Sequence, residues 1–267
     1  MDAYSWSGLV PDETFVPEKD YTDYITNLDG LRGRIVGAIP LEPRMRVLDA
    51  AAGPAWFSAE LAKRDPTLKI VAIDTSERMV KAAERRVREK WLDSSIATMK
   101  MDATLLDFQP STFSLVTNFL GLNRIHMTHG AQGVRQSIHE AARVLKPRGY
   151  MCFTIIPPEE AETIAQRLEC ETYSYACGLT WLPAIKYQEY LRGAGFSLVK
   201  RETFYTGKKF GAAQARQHLE STIEKAKSIE VEALPLDEVW KRYGAEIEGE
   251  GLGHCSRVVL MIARKNA

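Results

Sequence analysis

Val47-Leu48-Asp49-Ala50-Ala51-Ala52-Gly53-Pro54-Ala55-Trp56 decides how this chain is read. An apolar run, short enough for one buried strand, ends in an acid, and a turn of small residues then opens a helical pattern carrying Phe57 and Leu61. In open α/β sheets this arrangement brings backbone close to a nucleotide-like ligand at the carboxyl edge of the strands. Gly53 is the position expected to need unusual φ or a bare backbone there. A dinucleotide fingerprint fits less well, because counting from Ala51 and Gly53 its third glycine falls on Trp56.

The same rhythm continues on both sides of this stretch. Upstream, Tyr21, Tyr24, Ile25, Leu28, Leu31 and Ile35 recur at helical spacing after Asp20, until Pro40 and Pro43 end the pattern. Downstream, Lys69–Asp74 is a second strand ending in an acid. A charged helix follows with Val80, Ala83, Val87 and Trp91 on one face. Its run Arg85-Arg86-Val87-Arg88-Glu89-Lys90, with Glu84 and Glu89 interleaved, reads as a solvated face. Ile96–Met101 is a third strand, followed by Asp102, and Phe113–Leu120 is a fourth. A helix over 133–145 leads through Lys146-Pro147-Arg148-Gly149 into a fifth, Tyr150–Ile156. After Pro157-Pro158 the rhythm changes. Residues 159–182 carry Tyr173, Tyr175 and Trp181, and a helix from Pro183 to Arg192 precedes strand Phe196–Phe204. Residues 207–252 are mostly polar and helical, and Val258–Ala263 is the last strand. Short apolar strands alternating with helices predict a parallel sheet covered on both faces.

Acids thus follow three successive strands. A carboxylate accepts two hydrogen bonds at once, and Asp74 stands about 20 residues beyond the first turn, as a βαβ unit requires. Asp74 can also cap the next helix, a task Ser76 can perform instead. On these residues the chain resembles the class I S-adenosylmethionine (SAM)-dependent methyltransferases, in particular the small-molecule type of ubiquinone and menaquinone biosynthesis. Val47–Trp56 resembles their first motif, acid-x-Gly-x-Gly-x-Gly, with Ala51, Gly53 and Ala55 at the glycine positions. Ile70–Met79 resembles the second and Met99–Ala103 the third. Phe113–Asn123 and Ala142–Gly149 resemble the region around and after strand four, where Arg148 replaces a common glycine. Glu189–Phe196 resembles the entry to strand six. The resemblance implies an α/β fold: a Rossmann-like, seven-stranded, mostly parallel sheet with helices on both faces. Residues 1–267 are expected to form one domain, with an N-terminal helical segment 1–40 and helical lid insertions 157–183 and 207–252.

The resemblance also implies SAM as cofactor, held by Asp49, Ala51, Gly53, Asp74, Thr75, Met79, Asp102, Ala103 and Asn118. Asp74 would take the ribose hydroxyls, and Asp102 would sit beside the adenine amino group. Methyl transfer is an in-line displacement, so the protein must hold an acceptor lone pair roughly 3–3.5 Å from the methyl and exclude water. Tyr21, Tyr173, Tyr175 and Trp181 are expected at the acceptor site, where aromatic faces solvate cations by about 0.5–2 kcal/mol. An oxygen acceptor needs a base unless already ionised. His126, after strand four, is the first choice, with Tyr24 as its catalytic companion; His129 and His254 are further imidazoles near the sheet edge.

Composition narrows the partners. Lys plus Arg and Asp plus Glu both total 35, a formal charge of zero that speaks against nucleic acid. The N-terminus lacks the basic and apolar segments of a signal peptide, and no apolar run reaches the roughly 18–20 residues of a membrane span. Cys152, Cys170, Cys177 and Cys255 lack CxxC spacing, so reduced thiols and no metal are expected. A cytoplasmic monomer or homodimer acting on a small-molecule substrate, with no nucleic-acid or membrane partner, is the resulting expectation. Ala51 and Ala55 in the glycine loop keep one alternative open: a methyltransferase fold used for cyclisation or isomerisation, with methyl transfer lost or repurposed.

Overall fold

A computed structural model of the chain describes residues 13–228 and 231–267. Its main sheet has seven strands: β1 (Arg46–Ala50), β2 (Lys69–Asp74), β3 (Ile96–Lys100), β4 (Phe113–Asn118), β5 (Leu145–Ile155), β6 (Phe196–Tyr205) and β7 (Arg257–Lys265). Their order is β3-β2-β1-β4-β5-β7-β6. The first five pair in parallel, whereas β7 runs against both β5 and β6. The chain winds outward from β1 to β3 and then returns to β4 on the other side of β1. The crevice at such a reversal, outside the carboxyl ends of the strands, is where α/β sheets bind ligands. Val47, Leu48 and Asp49 have no accessible surface, which is why β1 is a continuous run rather than an alternating one.

Nine helices accompany the sheet among the described residues: α1 (Tyr21–Asn27), α2 (Leu31–Ala38), α3 (Trp56–Arg64), α4 (Glu77–Glu89), α5 (Leu122–Val144), α6 (Ile164–Cys177), α7 (Ala184–Gly193), α8 (Ala212–Lys227) and α9 (Leu236–Glu250). Four details differ from the sequence expectation. The N-terminal pattern is broken in two, because Leu28, Asp29 and Gly30 take left-handed φ of 51°, 50° and 70°; residues 1–12 of the expected helical segment lie outside the described residues. Helix α5 begins a full eleven residues early and bends at Gly130, whose φ of 64° interrupts the helical ladder. Trp91 leaves the apolar face of α4, which stops at Glu89; its own φ is 57° and its side chain is 89% exposed. Strand β5 starts at Leu145, absorbing the Lys-Pro-Arg-Gly turn, with Arg148 at φ 63° where the family commonly has glycine.

The two excursions, 157–183 and 207–252, meet each other. Helix α6 from the first packs against α8 and α9 from the second. Beneath them lies a small sheet of Thr14–Phe15, Lys208–Phe210 and Leu252–Gly253. Leu168, Phe210, Leu219 and Val239 are fully buried there, in an apolar cluster that continues to Val47, Ile70 and Leu115 of the main sheet. No helix among the described residues is long and apolar enough to cross a membrane.

Candidate functional site

The turn from β1 to α3 is held in an unusual backbone conformation. Ala51, Gly53 and Ala55 have φ of 52°, 54° and 58°, so every position matching a family glycine is left-handed whether or not it is glycine. An alanine there costs roughly 1–2 kcal/mol, and the surroundings hold it. The Ala52 N–H donates to the Ile73 carbonyl at 2.8 Å, and the Gly53 N–H donates to Asp74 Oδ2 at 2.9 Å. Gly121 backs the turn closely: a Cβ on it would stand 2.8 Å from the Ala51 Cβ and 2.6 Å from Asn118 Nδ2. A Cβ on Gly53, by contrast, would meet nothing within 4 Å.

Asp74 ends β2 facing this turn. Its Oδ1 accepts from the Ser76 N–H at 2.9 Å, while the Ser76 hydroxyl caps α4 by accepting from the Met79 N–H. Ser76 therefore takes the capping task, and each Asp74 oxygen keeps acceptor capacity beyond its one backbone bond. Burial raises the Asp74 pKa, and the two backbone hydrogen bonds oppose that rise. Asp49 lies deeper, with no exposed surface. Burial lifts its carboxyl to about 6 against the pull of hydrogen bonds from the Ser58 and Thr117 hydroxyls, and neighbouring Asp74 adds a smaller rise. Asp102, beyond β3, accepts at Oδ1 from the Thr104 N–H and hydroxyl, both at 2.8 Å, and its Oδ2 lies 3.2 Å from His129 Nε2.

These groups line one cavity of about 670 Å³. Of the residues expected at the cofactor, Asp49, Ala51, Gly53, Asp74, Thr75, Met79, Asp102 and Ala103 line it. Asn118 stands behind the wall instead. Its amide donates to the Ala50 carbonyl, and its oxygen accepts from the Gly121 and Leu122 N–H groups, tying β1 to the start of α5.

The expected catalytic and acceptor residues are placed differently. His126 does not line the cavity; the helical turn of α5 brings His129 there, against Asp102. Tyr24 is buried away from it, its hydroxyl donating to the His254 carbonyl and lying 3.0 Å from the Thr206 hydroxyl. Burial pushes its pKa upward. Tyr21 packs edge-on against Phe210, Tyr173 against His218 and Tyr175 against Tyr243, while Trp181 rests half-buried on the same core. The physical reason is shared. The interior beneath the cap must be filled, and large aromatic side chains supply the apolar area to fill it.

Several lining residues had no sequence signal. Trp56 lies between two guanidinium groups, with Arg86 3.2 Å and Arg32 5.7 Å from its ring centroid. Arg86 also donates to the Pro54 carbonyl, so this member of the supposed solvated run clamps the loop. Phe119 stacks on Phe57 at 5.3 Å and carries Arg32 over its face. Arg32, Arg78, Arg124 and Lys225 all line the cavity. Among the described residues none of the four forms an ion pair. Burial and the nearby charges of Arg124 and Arg78 lower the Lys225 pKa. A hydrophobic period of 3.6 marks buried faces, and it is silent on cations that arrive at one cleft from α2, α4, α5 and α8.

Comparison with known proteins bears on the fold and the cofactor. Residues 47–149 match a family described as a methyltransferase domain. The 27-O-demethylrifamycin SV methyltransferase of Amycolatopsis mediterranei is 27% identical over 240 residues, covering 88% of this chain and 82% of that protein. A ubiquinone/menaquinone biosynthesis C-methyltransferase of Ectopseudomonas oleovorans is 32% identical over 105 residues, 39% of this chain and 58% of its relative. Among solved structures, the [4+2]-cyclase SpnF superposes with a TM-score of 0.65 at 20% identity, covering 90% of this chain and 82% of the other. A SAM-dependent methyltransferase from Methanosarcina mazei gives 0.57 at 15% identity, with 85% and 94% covered. The match spans the strands that build the cleft, the acids at their ends are those that suit an adenosyl ligand, and over residues 47–149 the chain is similar to SAM-dependent methyltransferases.

Proposed function

We propose that this enzyme methylates a small organic acceptor that reacts as its own nucleophile: an ionised oxygen, an ionised sulfur or a free amine. The observation that carries this reading is the set of ionisable groups lining the cleft. Three are the acids assigned to the cofactor, one is His129 against Asp102, and the remaining four are the cations Arg32, Arg78, Arg124 and Lys225. His129, the one imidazole of the set among the described residues, has both ring nitrogens engaged, Nε2 by Asp102 and Nδ1 by the Thr128 hydroxyl. Cations favour the ionised form of an acceptor and make a separate base unnecessary for oxygen or sulfur. The volume of about 670 Å³ falls within the roughly 300–1,000 Å³ range of small-molecule sites. The rifamycin enzyme and the quinone-biosynthesis enzyme are likewise named for small organic substrates.

SAM supplies an electrophilic methyl on a sulfonium when bound. Asp74, with acceptor capacity left on both oxygens, suits the ribose hydroxyls, and the bare backbone at Gly53 allows close approach. Ionised Asp49 offsets positive charge from within the sheet edge. Arg32, between Trp56 and Phe119, offers a partly buried cation for a carboxylate or an acceptor anion. The acceptor lone pair forms the new bond to carbon as the sulfur–carbon bond breaks, leaving S-adenosylhomocysteine (SAH) and a methylated product.

The alternative of cyclisation or isomerisation draws on the alanines of the loop. Both hold the left-handed backbone that glycine would give, which favours retention of the cofactor-binding shape. Methyl-labelled SAM, incubated with fractionated small-molecule extract, decides between them. Label in a small molecule with matching SAH supports the proposal. Turnover without SAH supports the alternative, and label confined to protein or RNA refutes the small-molecule reading. For an identified oxygen or sulfur acceptor, kcat/KM is expected to rise with pH along the acceptor's own ionisation.

A further inference from the structure

Away from the cleft, the cap meets the last strand at a polar cluster that methyl transfer does not use. Glu169 comes from the middle of α6, and His254 and Cys255 come from the segment just before β7. One ligand atom from each lies within 4.8 Å of the others. Glu169 is far in sequence from the adjacent pair His254-Cys255, so cysteine spacing alone gives no sign of the group.

Three independent features mark the cluster. Glu169 Oε2 and His254 Nδ1 are both buried without a hydrogen-bond partner among the described residues, as are the neighbouring Tyr173 hydroxyl and Thr172 Oγ1 on α6. Orphaned buried polar atoms are rare because each forfeits its hydration. Next, Cys255 has φ 53°, a left-handed conformation that a residue with a Cβ seldom adopts. In an extended strand successive side chains point to opposite faces; this break in the alternation lets the imidazole and the thiol converge. Finally, the segment is clamped. The Cys255 N–H donates to Glu169 Oε1 at 2.7 Å, the Tyr24 hydroxyl donates to the His254 carbonyl, and the Thr206 hydroxyl donates to the Cys255 carbonyl. Backbone strain held by surrounding bonds is a reason to look for a function.

We propose that Glu169, His254 and Cys255 bind one divalent cation of the zinc type, fastening the cap helix α6 to the start of β7. Sulfur, imidazole nitrogen and carboxylate oxygen together form a donor set suited to zinc. A thiolate and a carboxylate balance the charge of a divalent ion, so the loaded site is neutral, and binding releases the thiol and carboxyl protons. With metal–ligand bonds of about 2.0–2.3 Å, tetrahedral ligands stand roughly 3.4–3.8 Å apart, so the cluster closes by about 1 Å on loading. The His218 ring lies 4.4 Å from that of His254, centroid to centroid.

The test is cobalt binding to the full chain after chelator stripping. The expected result is about one Co²⁺ per chain with a thiolate-to-cobalt charge-transfer band, displaced by Zn²⁺. Cys255→Ser should lose the band, and Cys177→Ser, a nearby buried thiol, should keep it. Zn²⁺ at a hundredfold excess over its Kd should raise the thermal midpoint of the wild type by about 5–10 °C and that of Glu169→Gln far less. SAH binding by each variant checks its folding. No cobalt bound by the wild type, or a charge-transfer band that survives Cys255→Ser, overturns the proposal and leaves the methyltransferase assignment untouched.

Discussion

Replacing Gly53 by alanine separates two reasons for a glycine in a ligand loop: backbone conformation and contact with the ligand. Ala51 and Ala55 occupy the same left-handed region, at φ 52° and 58° against 54° for Gly53, so the fold can hold an alanine in that conformation. The strain is about 1–2 kcal/mol, and the reduced freedom of the unfolded chain returns about 0.4–1 kcal/mol. No clash adds to this, since the new Cβ meets nothing within 4 Å. A net loss of about 0.5–1.5 kcal/mol lowers the thermal midpoint of a chain this size by about 1–6 °C. The space that receives the methyl, however, is the cleft. If the cofactor packs on bare backbone there, intrusion of one methyl costs a further 1–3 kcal/mol or so, a roughly 5–150-fold weaker Kd for SAH. Thermal denaturation and calorimetry on the same preparations measure the two effects. A variant that binds SAH within twofold of wild type would refute the idea that the cofactor rests on this loop.

Asp74→Asn should weaken SAH binding by about 10–150-fold, the worth of roughly 1.5–3 kcal/mol for a hydrogen bond to a charged acceptor, and unchanged calorimetric affinity would sink the ribose assignment. Asp49 titrates at about 6 in the folded chain against an ordinary 3.8, so its ionisation costs stability as pH rises through about 4 to 6. SAM carries one more positive charge than SAH and favours ionised Asp49. The SAM-to-SAH affinity ratio should therefore climb as pH passes upward through about 6 and then level off; a ratio flat with pH, or a slope retained in Asp49→Asn, contradicts this. Arg143 donates to the Leu106 and Phe108 carbonyls and pairs with Glu140, which in turn accepts from the Leu106 N–H. Arg143→Ala should lower stability by about 2–3 kcal/mol, seen as a reduced urea midpoint at constant m-value, and a loss below about 0.5 kcal/mol would show the network to be dispensable.

That the acids at the strand ends share one cavity was legible because their signals are local. An acid placed at a strand end, followed by small residues, fixes both a backbone path and a side-chain position within a few residues. Asp49, Asp74 and Asp102 are of this kind, and all three reach one cavity. Asn118 shares their location at a strand end, yet its amide is consumed in bonds to Ala50, Gly121 and Leu122. The rest of the lining was not legible. Tyr21, Tyr24, Tyr173, Tyr175 and Trp181 are aromatic, and aromatic residues serve an interior as readily as a ligand; here the core beneath the cap takes them. What reaches the cleft instead are single residues from well-separated helices, Arg32, Arg78, Arg124 and Lys225, whose convergence exists only in three dimensions. His126 and His129 differ by less than one helical turn, a distinction that composition and spacing do not resolve.

A net charge of zero also conceals how the cleft is divided. Three carboxylates and four cations without ion pairs among the described residues line the same cavity, and each set finds its complement in one of the two proposed ligands. A sulfonium is attracted to the carboxylates and an acceptor anion to the cations, so both are held before reaction by opposite charge. Transfer of the methyl cancels both attractions at once. The sulfonium becomes a neutral thioether as the acceptor anion becomes a neutral ether or thioether. Each product therefore leaves the chemical step bound less strongly than the reactant it came from. Arg32, Arg78, Arg124 and Lys225 would then serve twice, favouring the nucleophilic form of the acceptor and releasing it once it is methylated, and a neutral amine acceptor would gain neither benefit.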